Sequence, residues 1–259
     1  MQSFIHSFQS EWLKKKGTLA FWLVFIGGFF IPLIFMARGI FYPKDFLGEL
    51  KSPMFWDVLM NRSWQFMALL LLPLGVVMAT SLVTQLEFKN NTWKQLNTTP
   101  QSLSVIFFSK FAVIIVMLLQ FFVLFNVGIY LSALIPALIH GGADFYQRTL
   151  PFAFMFKTTS LFFLDCLPIV ALQYLISLQF KNFLVPLGLG IGLLLASLIA
   201  MNWQYGYTMP YSYCPYYFFS LRQTKIGPNQ VNFHYWALGY FVGFTLLSYL
   251  LFINKKEKG

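Results

Sequence analysis

Charge is what this sequence has least of. Only 10% of its 259 residues are Asp, Glu, Lys or Arg, where a soluble domain carries roughly 25%. Set beside 58% hydrophobic and 20% aromatic residues, that deficit excludes an ordinary water-soluble domain. Cysteine is almost missing. Cys166 lies in an apolar run and Cys214 in a polar loop, which leaves no basis for a disulfide framework. The three histidines, His6, His140 and His234, are far apart and no His-Glu-x-x-His motif occurs, so no metal site is expected. His140-Gly141-Gly142-Ala143-Asp144 has the outline of an oxyanion loop, but no Gly-x-Ser-x-Gly nucleophile turn goes with it. It reads as a turn at a membrane surface. There is no Gly-x-x-x-x-Gly-Lys-Ser/Thr phosphate loop, and Gly188-Leu189-Gly190-Ile191-Gly192 lies inside an apolar run rather than after a strand. No catalytic residue is assigned, and if ATP drives this protein another chain must bind it.

What is present is a set of charge-poor runs. Residues 17–37, 63–86, 111–139, 158–180, 182–201 and 233–253 each approach or exceed the roughly 20 residues needed to cross a hydrocarbon core. Lipid offers no hydrogen-bond partners, so helices are the expected answer; a barrel would require alternation, which residues 68–73 lack. The run at 111–139 is long enough to need tilt or a kink. The fold class expected is all-α: six transmembrane helices in one domain over residues 1–259. The apolar run at 17–37 has no convincing cleavage site and is read as a retained span.

The net charge of +10 comes from short basic clusters between the runs, a pattern that sets membrane orientation rather than one that binds nucleic acid. With the N-terminus inside, the inner segments hold ten Lys and Arg in 49 residues and the outer ones eight in 74. Both termini are therefore expected in the cytosol. Ahead of the first run, Phe4, Ile5, Phe8 and Trp12 share one helical face, which reads as an interfacial helix or a frayed extension. The loop at 202–232 is dense in aromatics, from Trp203 and Tyr205 to Tyr216 and Tyr217. It reads as interfacial anchoring, with a substrate lid as the alternative.

Asp165 is the only acid well inside a span. A central Asp costs about 2.5–3.5 kcal/mol on insertion scales, so it should face protein or water. Three uses stay open: meeting a cationic substrate, holding the bundle through a polar partner, or reaching the interface near Lys157. Gly188 and Gly192 in the fifth run, and Gly239 and Gly243 in the sixth, each put two glycines on one helical face. Spacing leaves packing within the chain or against a second copy open, with packing within the chain as the default.

One polar stretch, residues 85–110, separates the second and third runs. Leu86, Trp93 and Leu96 recur at helical spacing, Pro100 supplies a stop, and Ser102 or Ser104 would cap the next helix. Two readings fit these residues: a short amphipathic helix presented to a soluble partner, or an interfacial loop anchored by Trp93. Lys110 reads as an anchor of the third span at the headgroups.

The order Glu87, Lys89, Thr92-Trp93-Lys94-Gln95-Leu96, Pro100 and Ser109-Lys110, with Ser10-Glu11-Trp12-Leu13-Lys14-Lys15 ahead of the first span, resembles the permease subunits of ABC-2 exporters. Within that family it is similar to the branch linked with lantibiotic and bacitracin self-protection. The hydropathy layout follows the family along nearly the whole chain, the motifs only over these short stretches. The resemblance implies that Glu87, Lys89, Thr92, Trp93, Lys94 and Leu96 form a coupling helix docking on a separate cytosolic ATPase, which binds ATP and Mg. It also implies a second permease, identical or related, with the fifth span near the contact, and short re-entrant helices between spans five and six. The expected setting is a bacterial cytoplasmic membrane, in contact with lipid. The expected cargo is an antimicrobial peptide or another amphipathic substrate. Export of a lipid, glycan or drug, or a scaffold or sensor without transport, are the alternatives.

Overall fold

Six helices long and apolar enough to cross a membrane dominate the computed structural model, which describes residues 2–89, 102–222 and 232–254. In chain order they are α2 (Leu19–Phe41), the run of α4 (Phe55–Phe66) through a π-helical turn (Met67–Leu71) into α5 (Leu72–Lys89), α6 (Leu103–His140), α7 (Phe152–Gln179), α8 (Leu184–Ile199) and α10 (Phe233–Asn254). Ahead of them lies α1 (Gln2–Lys15). The short helices α3 (Pro43–Leu50) and α9 (Tyr213–Leu221) lie between spans. No strand occurs among the described residues. The expected all-helical, multi-pass architecture holds.

Two faces can be told apart by which helix ends touch. One gathers α1, the end of α5, the start of α6 and the end of α10, and is called the termini face here. It is held by Gln85 Nε2 donating to the Phe180 carbonyl (2.8 Å) and by a Ser104–Tyr249 hydroxyl contact (2.7 Å). At the opposite face, His140 Nε2 lies 3.1 Å from the Ile40 carbonyl, and Arg148 donates to the carbonyls of Leu50 and Lys51.

The sequence explains the helix ends. Ser102 has extended backbone and accepts from the Val105 N–H at 3.4 Å, capping α6. Gly141 closes that helix at φ +68°, a left-handed conformation suited to glycine, so the His140–Asp144 stretch is the turn expected. At 38 residues α6 is about 57 Å long, well beyond a hydrocarbon core of about 30 Å. It therefore projects from the bilayer and serves as the post against which α1 and α2 pack.

Close packing uses small residues, but not the ones the sequence spacing singled out. A Cβ on Gly28 would come within 2.9 Å of Leu124, one on Gly128 within 2.8 Å of Pro32, and one on Gly39 within 2.8 Å of Pro136. These three positions let α2 lie against α6. In α8 the buried glycine is Gly190, where a Cβ would sit 2.6 Å from Val77 and 2.7 Å from Gln173 Oε1. Gly188, Gly192, Gly239 and Gly243 have nothing within 4 Å of such a Cβ and face away from the bundle. The expectation that these two pairs pack inside the chain is therefore overturned. Spacing shows that two glycines share a face; it does not show which way that face turns.

The aromatic loop also differs from its reading as a headgroup anchor. Tyr211, Tyr213, Tyr216, Tyr217 and Phe218 are buried, and only Trp203 and Tyr205 stand out exposed. Three 3-10 turns fold the segment back so that Tyr213 donates to the Tyr207 carbonyl (2.9 Å) and Tyr216 to that of Met201 (3.1 Å). A chain so rich in tyrosine hydroxyls can satisfy them on its own backbone and bury the rings.

Candidate functional site

The site begins with a polar stripe on α1. Ser7, Glu11 and Lys15 are spaced four residues apart, so they share one helical face, and all three are buried. Phe4, Ile5 and Leu13 are left facing outward. The helix thus turns charge inward against α6. Lys110, eight positions into α6, puts Nζ 2.7 Å from Glu11 Oε2, while Lys14 Nζ lies 2.7 Å from Oε1. Lys110 is 1% exposed, so it is no headgroup anchor; it ties α6 to α1. One turn on, the Lys15 ammonium sits 3.3 Å from the Trp12 ring centroid and donates to Gln120 Oε1 at 3.3 Å.

Burial alone would push the Glu11 carboxyl up. Lys110 and Lys14, by charge and by direct hydrogen bonds, more than reverse this and hold it below its ordinary value. Burial pushes the Lys15 ammonium down to about 8. The ends of the 85–110 stretch are therefore fixed. Gln85 is bonded to Phe180, Ser102 caps α6, Ser104 meets Tyr249, and Lys110 is locked to Glu11. Glu87 and Lys89 fall in the last turn of α5 with their side chains outside the described residues. Thr92, Trp93, Lys94 and Leu96 lie outside those residues altogether. What the geometry supplies is a mechanical frame: a push on the stretch reaches α5 and α6 directly, and α1 through a buried ion pair.

This arrangement was only half visible in the sequence. Glu11 and Lys110 each stand in a polar stretch beside an apolar run, but 99 positions separate them and nothing local links them. The usable signal was the Ser7-Glu11-Lys15 stripe, polar at a spacing where a membrane-surface helix would be polar only toward water.

Two further polar clusters occupy the spans. Asp165 is fully buried in α7, and His234 Nδ1, at the start of α10, lies 2.7 Å from its Oδ1. Of the three uses open for Asp165, the polar partner is the one observed, and the approach to Lys157 is not. Deeper in, Gln173 donates to Ser81 Oγ (3.0 Å) and the Pro186 carbonyl (2.8 Å), and accepts from the Tyr211 hydroxyl (3.1 Å). Ser81 also meets Ser177 at 3.3 Å. One glutamine thus joins α5, α7, α8 and the aromatic segment. Sequence reasoning missed it, although an amide in an apolar run demands partners. Among the described residues no three His, Cys, Asp or Glu side chains converge as metal ligands would.

Residues 7–197 match the family model described as ABC-2 family transporter protein. The chain belongs to that family. The match takes in most of α1, the first four spans and most of α8, and with them both partners of the Glu11–Lys110 pair. Searches of curated proteins and of solved structures find no match. As an ABC-2 family member with six spanning helices, the chain is a multi-pass membrane protein and a transmembrane permease of an ABC transporter, the kind of subunit that is normally non-catalytic.

Proposed function

We propose that this ABC-2 permease, a single domain over residues 1–259, pairs with a second permease and with cytosolic ATPase subunits that bind ATP and Mg, and exports an amphipathic substrate. An antimicrobial peptide drawn from the membrane is the favoured cargo, with resistance as the outcome. The termini face lies in the cytosol of a bacterial cell, where the 85–110 stretch docks on the ATPase. The observation that carries this reading is the fixed frame around that stretch, above all the buried Glu11–Lys110 pair at 2.7 Å. An interfacial loop has no need of such a frame; a segment that transmits displacement does. The exposed Gly188–Gly192 face of α8 supports a contact with the second permease, since bare backbone permits close helix approach.

Trp93 is the proposed anchor in the ATPase groove, and truncating such an aromatic costs about 2 kcal/mol or more. Trp93→Ala should abolish substrate-stimulated ATPase activity in the reconstituted complex while permease levels stay constant, with Glu87→Ala next in effect. If both variants keep wild-type coupling, the stretch is an interfacial loop and the proposal fails. Cysteine labelling at position 94, in a Cys166→Ser, Cys214→Ser background, tests the sidedness separately.

A further inference from the structure

At the opposite face, α2, α3 and α4 bring three charged side chains together. Arg38 donates through Nη1 and Nη2 to the two oxygens of Glu49, at 3.0 and 2.9 Å, and Arg62 Nη1 donates to Glu49 Oε1 at 3.2 Å. Two guanidiniums share one carboxylate, and the trio carries a net charge of +1. Asp45 acts on Arg38 only through space. A guanidinium has five N–H donors in a fixed fork that fits phosphate oxygens. Glu49 engages two of those on Arg38 and one on Arg62. The trio edges a cavity of about 240 Å³ that Tyr42, Ser52, Phe46 and Leu59 also line.

A second cavity adjoins this one through a shared lining residue. Phe35 lines the first and also lines an apolar groove of about 620 Å³ between α2, the π turn with α5, and α6. That groove runs along α2 from Phe35 to Leu19, seventeen residues or about 24 Å of helix. One leaflet's acyl chains extend over half of a core of about 30 Å, so the groove is long enough to take them. Ile26, Phe30, Ile34, Phe66 and Leu70 are exposed along it, and the only hydroxyl on its wall is Thr80, at the far end. Gly75 lines the groove beside open space, since a Cβ there would meet nothing within 4 Å.

We propose that these two cavities are one site, for a membrane phospholipid whose phosphate meets Arg38 and Arg62 and whose acyl chains lie in the groove beneath. A tail alone would not need the arginines, and a free anion would not need the groove. A helix from a second copy would fill the groove and leave the guanidinium donors facing an apolar surface. The site stands whatever cargo the permease moves, and its test requires no ATPase.

The test is native mass spectrometry of the purified permease, loaded from mixed micelles. The probes are phosphatidylglycerol, diacylglycerol with the same chains, and inorganic phosphate. The expected result is retention of one phosphatidylglycerol per chain, little retention of diacylglycerol, and no displacement by millimolar phosphate. Arg62→Gln should lower retention about tenfold, the worth of one charge-assisted hydrogen bond, and Arg62→Lys should restore part of it. Gly75→Phe, which fills the groove without touching the arginines, should lower it as well. Equal retention of diacylglycerol, displacement by inorganic phosphate, or unchanged retention in both Arg62→Gln and Gly75→Phe would each overturn the proposal. So would efficient disulfide trapping between two copies through Ile26→Cys, which would show protein in the groove.

Discussion

Glu11 and Glu49 are both glutamates held between two cations, one at each face of the membrane-spanning bundle, and their surroundings differ. Glu11 is 7% exposed and its partner Lys110 1%. Glu49 is 34% exposed, between Arg38 at 40% and Arg62 at 45%. Distances hardly separate the two sets, since both include contacts under 3 Å. Solvent does. At Glu11 water barely screens the Lys110 contact, and removing Lys110 leaves a buried carboxylate with less countercharge. At Glu49 water and mobile ions replace a lost partner readily. The termini face therefore behaves as a fixed joint, and the opposite face keeps its charges available to whatever arrives.

Four measurements test that contrast. The largest effect is expected from Lys110→Met, which leaves Glu11 buried with less countercharge and should destabilise by about 3–5 kcal/mol. Thermal unfolding in detergent would read it, and adding Glu11→Leu should return most of the loss because the under-compensated carboxylate is then gone. A Lys110→Met protein melting like the parent would remove the contrast altogether. Next comes His234→Phe. It deprives buried Asp165 Oδ1 of its donor, while Oδ2 already lacks a partner among the described residues, at an expected cost of about 1–3 kcal/mol. His234→Gln, which keeps a donor, should recover part of it.

The third measurement uses pH. Lys15 is pushed down to about 8 in the folded protein by burial, against about 10.4 for an unperturbed lysine. Between those values the unfolded chain binds more protons, so stability should rise as pH goes from 8 to 9.5, and Lys15→Met should flatten the rise. The scan stops short of pH 10 because burial holds the Tyr211 and Tyr213 hydroxyls above their ordinary value, which works with the opposite sign. The smallest effect belongs to Glu49→Gln, expected at no more than about 1 kcal/mol. Its own pH dependence should be slight. The Arg38 hydrogen bonds lower the carboxyl, so its contribution is present at neutral pH and fades only below the usual carboxylate range.

The six spans could be read from sequence because their cause is local: an apolar run of sufficient length has few alternatives in lipid. The Ser102 cap and the Gly141 stop were legible for the same reason, since each acts on its own helix end. The Glu11–Lys110 joint was not, because it depends on how α1 lies along α6. Nor were the glycine faces. Gly188 and Gly190 are two residues apart in the same apolar run, yet one faces outward and the other touches Gln173. The aromatic segment was misread because tyrosines at a membrane surface and tyrosines folded over their own carbonyls share one composition.

The π turn at Met67–Leu71 gives the second span a property its side chains do not. Relative to an unbroken α-helix it inserts roughly one residue, and each residue of an α-helix advances the azimuth by about 100°. The turn thus acts as a crank between α4, which carries Arg62, and α5, which carries Gly75. Deleting one residue from 67–71 would return the span to uniform pitch and swing Arg62 away from Glu49 while Gly75 stayed in the groove. Headgroup and tail contacts would fall out of phase although Arg38, Arg62 and Gly75 were all retained, so the length of this segment, as much as its composition, is set by the geometry it has to deliver.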